Sequence, residues 1–93
     1  MNKLEEAREI ISEIDKEMIE LFIKRMAAVS MVAEYKLENN MPVLDTNRED
    51  SIKIENIHLL ANKKLENYYL TFFKGVLEAS REYQNDLLKQ GKK

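Results

Sequence analysis

The sequence contains no cysteine and no tryptophan, and it has only one proline and two glycines in 93 residues. Without cysteine the chain forms no disulfide and no thiolate-ligated metal site. Proline and glycine are the residues that most often interrupt regular structure, so their scarcity predicts a few long helices. The length predicts a single domain over residues 1–93, one that buries only a modest fraction of its surface as a monomer.

The sequence also lacks an excess of basic charge and a long apolar run. Its 15 basic and 17 acidic residues give a net charge of −2, so no overall basic field attracts nucleic acid. No apolar run approaches the roughly 18 residues that a membrane span needs, and the polar start shows no signal-peptide core. We therefore expect a cytoplasmic protein that binds neither nucleic acid nor membrane.

What the sequence does have is a long helical period, from about residue 2 to 39, where Pro42 prevents its continuation. A helix of that length is about 55 Å long. Two shorter helices cannot cover an apolar stripe of this length, so the pattern predicts a coiled coil, a repeat or a dimer. The stripe consists of Leu4, Ala7, Ile11, Ile14, Met18, Leu21, Ala28, Val32 and Tyr35.

Two further helices follow. Thr46 and Glu49 have the spacing of a capping box, with Thr46 as the cap, which predicts a second helix from about 47 to 60. A third apolar stripe predicts a helix from about 65 to 88. The fold class expected is therefore all-α, with one long, one short and one intermediate helix per chain, in an intertwined helical homodimer.

Cations interrupt the stripe of the first helix. Arg25 occupies a central apolar position, Lys36 lies three turns further on, and Arg8 flanks the same stripe. Arginine and lysine are seldom buried without a partner, so an inward face carrying them pairs them internally or binds an anion. For Arg25 the structural alternative is a side chain that extends its charge to solvent or forms a salt bridge to Asp15 or Glu20.

The other helices add polar groups. Near the start of the second helix Asp45, Arg48 and Glu49 can share one face, although helix capping alone would explain the acids. Ser80 and Gln84 lie four residues apart on the third stripe. This set contains no nucleophile–base pair and no metal cluster. Its cations and donors suit a small polyanion such as a dicarboxylate, held by bidentate arginine contacts.

Arg8 and Arg25 are 17 residues apart, which is about 25 Å along a helix. They cannot both grip one small molecule from the same chain. If Arg8 belongs to the site, it must come from another subunit. Two long helices running antiparallel across a two-fold axis would then form two composite sites per homodimer.

Four segments carry a family resemblance: LEEAREIISEIDKEMIELFIKR from residue 4, KL at 36–37, PVLDTNRE at 42–49 and SREYQ at 80–84. With them, nearly the whole chain resembles the all-helical class of chorismate mutases, in the short monofunctional bacterial form. The resemblance implies an isomerase that converts chorismate to prephenate by a Claisen rearrangement. That step belongs to phenylalanine and tyrosine biosynthesis (the shikimate pathway) and uses no cofactor.

The resemblance also implies residue roles. Arg25 would bind one substrate carboxylate, and Arg8 of the other subunit would bind the second carboxylate. Lys36 and Gln84 would contact the ether oxygen whose C–O bond breaks, and Glu49 would accept the ring hydroxyl. The remaining positions would contact or support the substrate: Asp45, Arg48, Ser80 and Val32. Some family members carry a glutamate at the position of Gln84, and that glutamate must be protonated to donate a hydrogen bond. The amide of Gln84 is neutral, so we expect activity that persists at neutral and mildly alkaline pH.

Two other functions fit parts of the sequence. An isochorismate pyruvate-lyase would use a similar cationic pocket, although the intact PVLDTNRE segment favours the mutase. A non-catalytic helical dimerisation module explains the long helix but not the inward positions of Arg25, Lys36 and Gln84. Under that second alternative, Arg25→Leu should stabilise the dimer without loss of function.

Overall fold

The computed structural model describes residues 2–91, and this part of the chain contains three α-helices and no strand. Helix α1 spans Lys3–Glu38, α2 spans Thr46–Leu59 and α3 spans Glu66–Gly91, with a 3-10 turn at Lys63–Leu65 before α3. The prediction of an all-helical chain with one long, one short and one intermediate helix is confirmed. The last helix continues three residues beyond the expected end at residue 88.

Both ends of α1 are capped by asparagine. The Asn2 side chain accepts the backbone N–H of Glu5 at 2.9 Å, which satisfies a donor that the helix itself leaves open. At the other end Asn40 takes a left-handed φ of 52°, and the N–H of Met41 donates to the carbonyl of Lys36 at 2.9 Å. This Schellman-type ending reverses the chain and returns it toward the last turn of α1.

The start of α2 corrects the expected capping box. The cap is Asp45, whose carboxylate accepts the backbone N–H of Arg48 at 3.0 Å, and Thr46 is already the first helical residue. A carboxylate adds its negative charge to the positive end of the helix, which a hydroxyl cannot do. The Glu49 side chain does not reach back to the cap; it pairs with Arg81 of α3.

The intrachain core is small and lies between α3 and the second half of α1. Its buried apolar side chains are Val29, Ala33, Phe73 and Leu77. By contrast, every residue from 2 to 24 is exposed. In that stretch the large apolar side chains are between 41% and 61% exposed: Leu4, Ile10, Ile11, Ile14, Met18, Ile19, Leu21, Phe22 and Ile23.

The described chain is elongated. Its extents are 55 × 26 × 15 Å and its radius of gyration is 16.7 Å, against about 12 Å for a compact chain of this length. The shape follows from α1, whose first turns extend beyond α3; α3 comes alongside α1 at the apolar cleft that Met18 and Phe22 line together with Phe72. As the length of the stripe predicted, one chain does not cover it. Among residues 2–91, no helix is both long enough and apolar enough to cross a membrane.

Candidate active site

A cavity of about 330 Å³ lies among the second half of α1, the start of α2 and the second half of α3. Apolar side chains form part of its wall, among them Val29, Ile52 and Leu77. Eight of the nine residues expected at the site line this one cavity: Arg25, Val32, Lys36, Asp45, Arg48, Glu49, Ser80 and Gln84. The structure therefore brings together side chains that are up to 59 positions apart in the sequence.

The helical period explains how α1 and α3 supply these groups. Arg25, Val32 and Lys36 are separated by seven and four residues, which places them on one face of α1. Ser80 and Gln84 lie one turn apart on α3 and are only 5% and 7% exposed. Buried polar side chains are normally hydrogen-bonded, and both of these find a cation of α1 as a partner.

Lys36 joins three parts of the site. Its Nζ donates to the backbone carbonyl of Val43 at 2.7 Å and to Oε1 of Gln84 at 2.9 Å. An ammonium has three N–H donors, so one remains for a molecule in the cavity. Because the amide oxygen of Gln84 accepts from Lys36, the Gln84 amide N–H₂ is the group left to donate to such a molecule.

Arg25 is held by α3. Its guanidinium donates to Oγ of Ser80, and that hydroxyl donates to the carbonyl of Val76 at 3.0 Å. The alternative of a salt bridge to Asp15 or Glu20 is wrong, because neither ion pair found among residues 2–91 includes Arg25. A guanidinium has five donors, so its contact with Ser80 leaves others for a carboxylate in the cavity.

Two contributors to the site were not predicted from the sequence. One is the carbonyl of Val43, a backbone group that no side-chain pattern reveals. The other is Arg81, whose Nη1 lies 2.5 Å from Oε1 of Glu49. These two residues are 32 positions apart on different helices, and no local spacing rule connects them. The position of Arg81 directly after Ser80 was the one available signal.

The charges lining the cavity favour an anion. Three cations, Arg25, Lys36 and Arg48, face two carboxylates, and both carboxylates already have partners. Asp45 accepts from the start of α2, and Glu49 accepts from a guanidinium. Within residues 2–91 no group of three or more His, Cys, Asp or Glu side chains could hold a metal ion. The arrangement suits binding and polarising an anionic molecule.

Arg8 is the expected site residue that this chain does not bring to the cavity. It lies on the exposed first half of α1, beside Glu9, Ser12 and Glu13. Seventeen residues of helix separate it from Arg25, or about 25 Å. Within one chain, therefore, the two arginines stay apart.

Known proteins are similar to this chain in sequence. A profile of the family "Chorismate mutase type II" matches residues 7–85. The "Bifunctional chorismate mutase/prephenate dehydratase" of Buchnera aphidicola subsp. Schizaphis graminum (strain Sg) is 36% identical over 89 residues, covering 94% of this chain and 23% of that protein. The protein with the same name from Buchnera aphidicola subsp. Acyrthosiphon pisum (strain APS) is 33% identical over 84 residues, covering 89% and 22%.

This chain thus spans less than a quarter of the length of these curated relatives. No solved structure matches it significantly. The profile match extends from the first half of α1 to just beyond Gln84 on α3, and so includes every residue of the cavity. On this match and on the identity to both relatives, the chain belongs to the chorismate mutase type II family.

Proposed function

We propose that the protein is a chorismate mutase, an isomerase that converts chorismate to prephenate in aromatic amino-acid biosynthesis. Membership of the family supports the reaction. The observation that carries the proposal is the hydrogen bond of 2.9 Å from Nζ of Lys36 to Oε1 of Gln84 at the cavity. Each of these two side chains retains an N–H donor for a bound molecule. In this proposal residues 1–93 act as one chorismate mutase domain, located in the cytoplasm and needing no cofactor.

The chemistry of the rearrangement suits such a cavity. One C–O bond breaks and one C–C bond forms within a single molecule, so no proton is transferred and no covalent intermediate forms. Two effects lower the barrier of such a reaction. The first is to hold the enolpyruvyl arm over the ring in a reactive conformer. The second is to stabilise the negative charge that grows on the ether oxygen as its bond stretches.

Fixed cations would hold the substrate. Arg25, whose position is set by Ser80, would bind one carboxylate through its remaining donors, and Arg48 would add positive charge nearby. The apolar wall that includes Val32 would pack against the ring. These contacts would restrict the flexible substrate before the reaction begins.

Lys36 and Gln84 would stabilise the transition state. Lys36 is fixed by two acceptors, so its third donor needs little reorganisation to meet the charge on the ether oxygen. The amide of Gln84 would donate to the same atom. A single preorganised donor of this kind typically contributes about 3–4 kcal/mol, or roughly 10²–10³ in rate.

We further propose an intertwined homodimer in which Arg8 of one subunit completes the cavity of the other. The cavity lies against residues 25–36 of α1. An antiparallel pair of α1 helices that brings Arg8 opposite that stretch crosses near Ile19, amid the exposed apolar side chains. Burying a large aliphatic side chain is worth about 1.5–3 kcal/mol, so this pairing would also stabilise the fold. Sedimentation should give twice the 11.0 kDa of one chain; a monomer that is fully active would contradict the composite site.

The activity is tested by following chorismate absorbance after addition of purified protein, with a metal chelator present and the product identified. We expect saturable conversion to prephenate that the chelator does not change. Isochorismate, assayed in parallel with pyruvate detection, is the comparison substrate for the lyase alternative. Pyruvate release from isochorismate without prephenate formation would overturn the mutase, and a folded protein inert toward both substrates would favour the dimerisation module.

A further inference from the structure

An ion pair connects α3 to α2 just outside the cavity. Nη1 of Arg81 donates to Oε1 of Glu49 at 2.5 Å. Glu49 lines the cavity, whereas Arg81 does not belong to its wall. The two side chains are only 18% and 29% exposed, so solvent screens this pair less than a fully exposed one. Arg81 therefore contacts the Glu49 carboxylate without lining the cavity itself.

The contact leaves one carboxylate oxygen for a ligand. Oε1 accepts from Arg81, and Oε2 is the atom that remains to accept from a molecule in the cavity. A glutamate without such an anchor samples several rotamers and loses that freedom when it binds a ligand. A charge-assisted bond to a planar guanidinium removes much of the freedom in advance.

The helix that carries Glu49 has few other attachments. Within α2, all of which the structure describes, no residue is buried. A second link between α2 and α3 is the hydrogen bond from Asn56 to the hydroxyl of Tyr69, 2.8 Å long, in the second half of α2. At the first turn the Arg81 contact is thus well placed to fix the position of Glu49 relative to Ser80 and Gln84.

We propose that Arg81 is a positioning residue for substrate recognition: without touching the substrate, it aims the Glu49 carboxylate so that Oε2 accepts the ring hydroxyl of chorismate. This inference rests on the proposed function. A contact made equally in the bound substrate and in the transition state affects KM and leaves kcat almost unchanged. Loss of Arg81 should therefore weaken binding rather than slow the chemical step.

The test compares Arg81→Met with Arg81→Lys, Glu49→Gln and the control Lys74→Met. Methionine keeps much of the length of arginine without its charge, and Lys74 is an exposed cation of the same helix. We expect Arg81→Met to raise the KM for chorismate about tenfold with kcat within about twofold. Arg81→Lys should recover part of this loss, because it restores the charge but not the planar fork. Lys74→Met should match the wild type.

A substrate analogue separates positioning from a merely structural role. The probe is chorismate with its ring hydroxyl replaced by hydrogen, measured as a competitive inhibitor. Its inhibition constant should change less than about twofold in Arg81→Met and in Glu49→Gln, since the hydroxyl contact is missing from the start. Equal weakening of substrate and analogue would assign Arg81 to holding the fold and overturn the proposal. An unchanged KM in an active Arg81→Met enzyme would also overturn the proposal. A wild-type protein that is inert toward chorismate would instead refute the proposed function itself.

Discussion

The two halves of α1 differ although they belong to one continuous helix. From Arg25 onward the helix packs on α3 and lines the cavity, with Val29 and Ala33 buried. Before Arg25 every described residue is exposed, including nine large aliphatic or aromatic side chains. Both halves have the apolar spacing of a buried helix face. The difference is therefore one of available partners. Side chains of α3 bury part of the second half, whereas before Arg25 α3 reaches only the apolar cleft that Met18 and Phe22 line together with Phe72.

The first half of α1 presents a broad apolar surface that is exposed within one chain. Contiguous exposed apolar surface on this scale marks an interaction site, and Arg8, the expected substrate ligand absent from the cavity, lies in that same half. The proposed homodimer would account for both facts, because the α1 helix of a second copy would cover the stripe and lie opposite Arg8. Under the proposed dimer, stability and catalysis depend on the same contact.

The largest expected effect on activity comes from a change in the second half of α1, which lines the cavity. Lys36→Ala should lower kcat by about 10²–10³ because it removes the donor that stabilises charge on the ether oxygen. Helical circular dichroism should be retained, and Lys74→Ala, at an exposed lysine of α3, serves as the control. Near-normal turnover by Lys36→Ala would refute the assignment of this residue to the ether oxygen.

A negative charge on the first half of α1 should disrupt the proposed dimer interface. Ile14 is 47% exposed within one chain, and Ile14→Glu would place a carboxylate in the proposed interface, where burial is unfavourable. We expect dissociation in sedimentation and a loss of activity of about tenfold or more at low protein concentration. The matched control is Leu59→Glu at the end of α2, where the side chain is 81% exposed. If the variant in α1 dissociates and loses activity no more than the Leu59→Glu control, the first half of α1 is not the interface.

The amide of Gln84 gives a prediction about pH. The wild type should keep its activity from mildly acidic to mildly alkaline pH, because an amide donates without titrating. In Gln84→Glu the neighbouring Lys36 ammonium favours the ionised carboxylate, which cannot donate. Activity of that variant should therefore fall at least about tenfold at neutral pH and rise again on acidification. If the two proteins had the same pH profile, the proposed hydrogen bond from Gln84 to the ether oxygen would be wrong.

The smallest expected effect concerns the end of α1. Asn40 has a positive φ, which alanine adopts at a cost of about 1 kcal/mol and glycine without strain. Asn40→Ala should lower the free energy of unfolding by about that amount, whereas Asn40→Gly should not. Denaturant titration at one fixed protein concentration measures both. Equal stability of the two variants would show that the left-handed turn contributes little.

The sequence predicted the three helices because long apolar periods and a lone proline leave few alternatives. It also predicted which side chains of α1 and α3 share a face, since helical spacing alone decides that. The cap of α2 was predicted one residue late, because Asp45 and Thr46 are both good caps by residue type and the spacing to Glu49 favoured Thr46. The contacts of Arg81 and of the Val43 carbonyl depend on how helices and loop meet in space, which no spacing within the chain encodes.

Mixing inactive variants tests directly whether the first half of α1 in one chain completes the cavity of another. Arg8→Ala and Arg25→Ala, combined under conditions of verified subunit exchange, should recover about a quarter of wild-type activity, because each heterodimer has one intact site. The control mixture, Arg25→Ala with Lys36→Ala, should stay inactive, since both changes lie in the cavity of their own chain. Recovery in the first mixture alone is the predicted result; no recovery in either would contradict the shared site.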